Sequence, residues 1–200
     1  SSLLQTWAAL ITVSLGLFVI TLDGSMMPVA IGSIVNGLNT EVGFVQAAMA
    51  FHSLVMASAY LAVGKLAAGL GEKRIFVIGA LVFGIGAVVA AMSPNVWTLL
   101  LGWSLIKPIG GAMMIPPANS LIVLNYEGKQ RTAAFGIFSA FVAAAAVIGP
   151  LWMGFMAATL SWRWAFGSEP LLIFILLYFA SMVKESKELR EMKFDIIGAI

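Results

Sequence analysis

The sequence predicts an all-α membrane protein, a six-transmembrane-helix bundle built as an inverted 3+3 repeat. Three observations predict it. Of 200 residues, 61% are hydrophobic and only 10% charged, where a soluble domain carries about a quarter charged residues. Apolar runs of about 20 residues, the length a helix needs to cross ~30 Å of hydrocarbon, recur six times. The loops between them alternate in charge. Nine of the eleven Lys and Arg residues fall on one side, which makes that side, and both termini with it, cytoplasmic by the positive-inside rule.

Residues 7–30 form the first run; it is too long for a signal-peptide core, has no small-residue cleavage site, and so reads as the first span. The second run is 42–63, followed by a basic loop at 64–74 holding Lys65, Lys73 and Arg74. The third, 75–92, ends at Ser93-Pro94-Asn95. The fourth, 96–124, contains Lys107 and three prolines. After Lys129 and Arg131 comes the fifth, 132–157, and then a short sixth, 170–183, with Lys184 expected to snorkel to the interface. The opposite loops, at 32–41, 93–95 and 159–169, hold Arg163 as their one cation. The domain plan is a bundle over 1–183, with repeats of about 1–92 and 93–183. A charged cytoplasmic amphipathic linker at 184–193 follows, then "FDIIGAI" at 194–200, the start of a further helix or an interfacial segment.

The repeat has a faint sequence trace: Gly24, Ser25, Met26, Met27 and Pro28 set against Gly111, Ala112, Met113, Met114 and Pro116. Three helices separate the copies, so they run in opposite directions. Such inverted repeats build many secondary transporters, with binding sites near midplane.

Composition also excludes. A net charge of +2 and a pI near 9.0 are spread over short loops rather than gathered in a stripe, so nucleic acid is not an expected partner. With no cysteine there is neither a disulfide nor a thiolate metal site. No cofactor, metal site or enzymatic centre is expected; the partner that composition demands is the lipid bilayer of the plasma (inner) membrane.

Three ionisable residues fall inside predicted spans: Asp23, His52 and Lys107. Charge at such depth is costly and points to a cavity or a partner. At 1.5 Å per residue the three lie ~10, ~15 and ~16 Å from the outer ends of their helices, close enough in depth to meet. Lys107 is then tolerated because Asp23 compensates it. An aspartate balanced between desolvation and pairing is a candidate proton carrier; a structural ion pair is the alternative. His52 reads equally as a relay or as a histidine bonded to a neighbouring hydroxyl or carbonyl. Pro108 has no N–H to give the Ser104 carbonyl, and Gly110 and Gly111 loosen the turns that follow. A helix break there must face water, solute or protein rather than lipid. Met26, Met27, Met113 and Met114 read as an adaptable greasy wall or as packing filler.

Four stretches resemble a known family. "GKLAAGLGEKR", with Gly64, Gly71, Lys73 and Arg74, resembles the signature loop of the major facilitator superfamily, although Ala68 stands at its usual acid and Gly69 at a usual base. "VIGPLWMG", with Gly149, Pro150 and Gly154, is similar to the antiporter motif of helix 5. "TLDGSMMPVAI" and "SWRWAF" followed by Pro170 are similar to the fourteen-helix drug:proton antiporter branch. In helix 4 that family places an arginine, then a glutamine one turn later; aligning on Gly110, Gly111 and Ala112 puts Ser104 and Lys107 at those positions, on nearly one face. The resemblance implies the N-terminal half of a major facilitator fold and proton-coupled export of lipophilic or cationic small molecules. Asp23 would carry the proton and Lys107 tune it, with His52, Ser104, Met26 and Met113 near the solute. It also implies a second six-helix bundle, either a C-terminal half of the same chain or a homodimer partner. "FDIIGAI" as an unfinished helix favours the former. The eroded loop and altered helix 4 leave one alternative, a degenerate half-size transporter serving as a membrane scaffold or regulatory subunit.

Overall fold

The computed structural model describes residues 3–185; most of the 184–193 linker and the whole 194–200 segment lie outside the described residues. Six helices follow one another: α1 (Leu3–Leu38), α2 (Val42–Leu70), α3 (Glu72–Ala91), α4 (Val96–Asn125), α5 (Gly128–Thr159) and α6 (Trp162–Ala180). All six are long and apolar enough to cross a bilayer, and the described residues contain no strand. Connections of one to four residues force each helix to run back along the last.

Three boundaries differ from the expected ones. Residues 64–70 are not loop but the last two turns of α2, and the reversal falls on Gly71 at φ 102°, a left-handed conformation in which a Cβ would clash. Lys73, just beyond it, donates to the Val183 carbonyl at 2.5 Å and ties the start of α3 to the end of α6. α1 continues through Pro28 as far as Leu38. α6 starts at Trp162, eight residues ahead of Pro170, because the Ser161 hydroxyl accepts from the Arg163 N–H and caps the first turn. That early start carries Glu169 out of the expected loop and into a span.

The packing follows the two-triplet plan. α1, first of its triplet, lies mainly on α5, the middle helix of the other; α4 touches α2 in the corresponding way while lying mainly on α3, and α3 meets α6. This is the pairing that an inverted repeat produces. Consequently α1 and α4 are the enclosed helices, 50% and 56% buried over their most apolar windows, whereas α2 and α5 are only 11% and 17% buried. The open faces of those two are apolar, with Leu54, Leu61, Leu151 and Phe155 exposed.

Glycines bring the enclosed helices into backbone contact. A Cβ on Gly110 would lie 2.5 Å from the Phe83 nitrogen, and one on Gly102 2.7 Å from the Ala90 nitrogen. Together with Gly79 and Gly86 they form a seam along which α3 and α4 touch, the small-residue packing that membrane helices favour. Gly149 does the same for α5, where a Cβ would collide with the Ser25 hydroxyl and the Leu22 carbonyl of α1. Gly154 and Gly64 make no such approach: a Cβ at 154 would meet Val29 only at 4.0 Å, and at 64 nothing within 4 Å.

Each end of the bundle has a polar clasp. Tyr126, between α4 and α5, accepts from the Leu10 N–H and donates to the Thr6 carbonyl, both at 3.0 Å. Its hydroxyl thus stands between two groups that an uninterrupted α-helix would bond to each other, and burial pushes the phenol's pKa up. At the other end Arg163 donates to the carbonyls of Ser93 and Ala91, where α3 runs out of internal donors.

Candidate functional site

The site begins with a local irregularity in α4. Residues Leu100–Ile106 form a π-helical segment, and the N–H of Lys107 donates back to the Gly102 carbonyl. The expected break at Pro108 is therefore absent: the wider turn carries the chain past a residue that has no N–H, and the helix continues to Asn125. Gly110 and Gly111 stay helical within it. Trp103, Ser104 and Lys107 are turned inward as a group, with 3%, 0% and 0% of their surface exposed.

Lys107 reaches two carboxylates. Its Nζ lies 2.5 Å from Asp23 Oδ1 on α1 and 2.5 Å from Glu169 Oε2 on α6. The Trp103 indole N–H donates to the same Asp23 oxygen at 3.0 Å. The Nζ also sits 4.4 Å from the centroid of the Phe166 ring and 5.3 Å from that of Phe83, a favourable setting for a cation. Glu169 Oε1 is buried with no hydrogen-bond partner. A single buried ion pair repays its desolvation only when geometry and auxiliary bonds are good; here one cation serves two acids.

Sequence reasoning placed Asp23 and Lys107 at similar depth but missed Glu169. Pro170 looked like a helix start, which left Glu169 in a loop. A signal was present: Ser161 as an N-cap ahead of Trp162-Arg163-Trp164 puts Glu169 two turns inside the helix.

Across the Trp103 ring lies a cavity of about 700 Å³ between α1, α2 and α4. Ile20, Met49, His52, Met56, Tyr60 and Trp103 contribute to its wall. The His52 ring stacks on Trp103 with centroids 4.2 Å apart, and its Nδ1–H donates to the Trp103 carbonyl at 2.7 Å. Ser104 donates to the Ala48 carbonyl at 2.9 Å, fastening α4 to α2. The methionines expected in the wall are elsewhere. Met26 and Met27 belong to the buried cluster that includes Met153 and Phe166, Met114 to the one that includes Phe76, and Met113 packs against the cluster of Val63, Ala67, Ile75 and Ala112. The wall methionines, Met49 and Met56, both come from α2. Of the loop-signature residues, Gly71 makes the turn and Lys73 the clasp described above, while Arg74 is exposed.

The family model of the Major Facilitator Superfamily matches residues 13–194. The methylenomycin A resistance protein of Bacillus subtilis is 32% identical over 157 residues, covering 78% of this chain and 34% of that protein. The puromycin resistance protein pur8 of Streptomyces alboniger is 26% identical over 198 residues, 98% of this chain and 39% of its own. The chain thus spans between a third and two fifths of the length of these curated relatives. Among solved structures, a peptide transporter POT in complex with sulfate superposes with a TM-score of 0.76 at 17% identity, over 98% of this chain and 44% of that one. A bacterial homolog of the human lysosomal transporter Spinster, inward-facing and unoccupied, gives 0.75 at 20% identity, over 92% and 44%. At such identities these two likenesses speak for the fold.

Proposed function

Because the chain belongs to the major facilitator superfamily, we propose that it supplies one six-helix half of a secondary active transporter, which exports lipophilic or cationic small molecules in exchange for protons. The observation that carries this reading is the position of Asp23. Its carboxylate is 1% exposed, bonded to Lys107 and to Trp103, and one indole ring away from a cavity large enough for a drug-sized molecule. Moving that ring or that lysine changes both the hydration and the pairing of Asp23, the two factors that set whether it holds a proton. A solute that favours one arrangement is then linked to proton binding, and the linkage is reciprocal. Asp23 carries the proton, Lys107 tunes it, and His52, stacked on Trp103, meets the solute together with the α2 methionines.

The relatives named for resistance to methylenomycin A and puromycin support a drug-like solute. Alternating access needs two bundles rocking about a central site, and the apolar open faces of α2 and α5 suit such a partner. The second bundle is a C-terminal half of the same chain or a second copy, in the plasma membrane with both ends of this bundle on the cytoplasmic side.

The test is uptake of a lipophilic cation into inverted vesicles under an imposed pH gradient. The unaltered protein should concentrate the cation, and Asp23→Asn should abolish the response to the gradient. Gradient-driven uptake undiminished in that variant rules out the proton role of Asp23.

A further inference from the structure

We propose that Glu169 is a second proton-binding carboxylate, and that Asp23 and Glu169 together hold one proton around Lys107. The relevance of that proton to flux rests on the transport reading above; its presence does not.

The argument is one of charge in a dry place. With every group ionised the cluster carries two negative charges and one positive, with 0–1% of each side chain exposed. A net buried charge is far more costly than a neutral cluster, and two acids that share a site cannot both ionise cheaply. Among the described residues no second cation faces the cluster. α1 contributes Asp23; α3 contributes the Phe83 ring; α4 contributes Lys107 and the Trp103 indole; α6 contributes Glu169 and the Phe166 ring. From α2 comes His52, whose Nδ1–H is committed to the Trp103 carbonyl rather than to either acid. Arg163, earlier on α6, is engaged with the carbonyls that end α3. One bound proton makes the cluster neutral.

Hydrogen bonding indicates which acid suits the proton in this arrangement. Asp23 Oδ1 accepts from both Lys107 and Trp103, bonds that favour a carboxylate. Glu169 has one bond and a buried oxygen with none, a setting that penalises the charged form more than the neutral one. When the Trp103 ring moves and water enters from the cavity, the proton passes to that water by way of Asp23, the acid bonded to the cavity-lining ring, and the two carboxylates then share Lys107 with their extra charge hydrated.

Infrared spectroscopy of the purified protein in lipid tests this directly, since a protonated carboxylic acid has a carbonyl stretch, sensitive to deuterium exchange, that a carboxylate lacks. The unaltered protein at neutral pH should show such a band, and Glu169→Gln should lose it, because one acid and one lysine balance without a proton. Asp23→Asn should lose it for the same reason, and it decides the matter should Glu169→Gln fail to fold. Absence of the band from the unaltered protein, or its survival in either folded variant, overturns the proposal. Flux separates this from the transport reading. A band lost on substitution in a protein that moves no solute keeps the proton pair and defeats transport; gradient-driven flux with a band indifferent to Glu169 does the reverse.

Discussion

The two sides of the Trp103 ring differ in nearly every physical respect. Behind it, three ionisable groups from three helices are buried, with 0–1% of each side chain exposed, and held by bonds as short as 2.5 Å. In front of it, about 700 Å³ of open space is walled by His52, Tyr60 and two methionines, the last being side chains that repack at little cost. The rear side is over-determined: each group has one place it can satisfy its charge. The front side is under-determined, and suits solutes of more than one shape. Damage behind the ring should therefore register as stability and proton coupling, and damage in front as selectivity.

The largest effect should come from Lys107→Met, which strands two acids in the interior. Removing one member of a buried ion pair typically costs ~3–5 kcal/mol, so thermal unfolding in detergent should fall steeply. Adding Asp23→Asn and Glu169→Gln should recover much of the loss, since the triple variant buries no charge. A Lys107→Met protein as stable as the parent would mean that the region behind the ring is wet. A smaller effect is expected at the boundary. Trp103→Phe keeps a ring against His52 but removes the N–H that Asp23 accepts, and a hydrogen bond to a charged group is worth about 1.5–3 kcal/mol. The response of transport to pH should shift more than the melting temperature in this variant, and unchanged pH dependence would separate the ring from coupling. Smallest in stability is Met56→Ala in front, at about 1 kcal/mol. Its signature should be changed relative affinity among solutes measured by competition; equal affinities throughout would remove α2 from the binding wall.

Legibility in the sequence also divides along this ring. Asp23 and Lys107 stood out because ionisable residues inside long apolar runs are rare and expensive. Glu169 was hidden by an ordinary ambiguity: proline often opens a helix, and here Pro170 sits two turns into one that Ser161 had already capped. The π segment of α4 has no sequence marker beyond Pro108 itself, whose missing N–H is compatible with a break, a kink or a wider turn. The methionine wall was misplaced for a different reason. Periodicity tells which residues share a face, but not whether that face meets a cavity or another helix, and Met26 and Met27 meet helices.

By itself the sequence determined that the described residues form six apolar helices with antiparallel neighbours, that the loops at one end are richer in cations than those at the other, and that an acid and an amine lie at comparable depth. Those properties follow from composition, run length and connection length, which are local. Tertiary structure alone decided that Lys107 meets partners 84 and 62 residues away and that one indole divides a buried ionisable cluster from an open cavity. Those contacts depend on how far each helix is rotated and how closely it approaches its neighbour. Both are set by the glycine seam between α3 and α4 and by the cap that starts α6 early, through packing that no single stretch of chain contains.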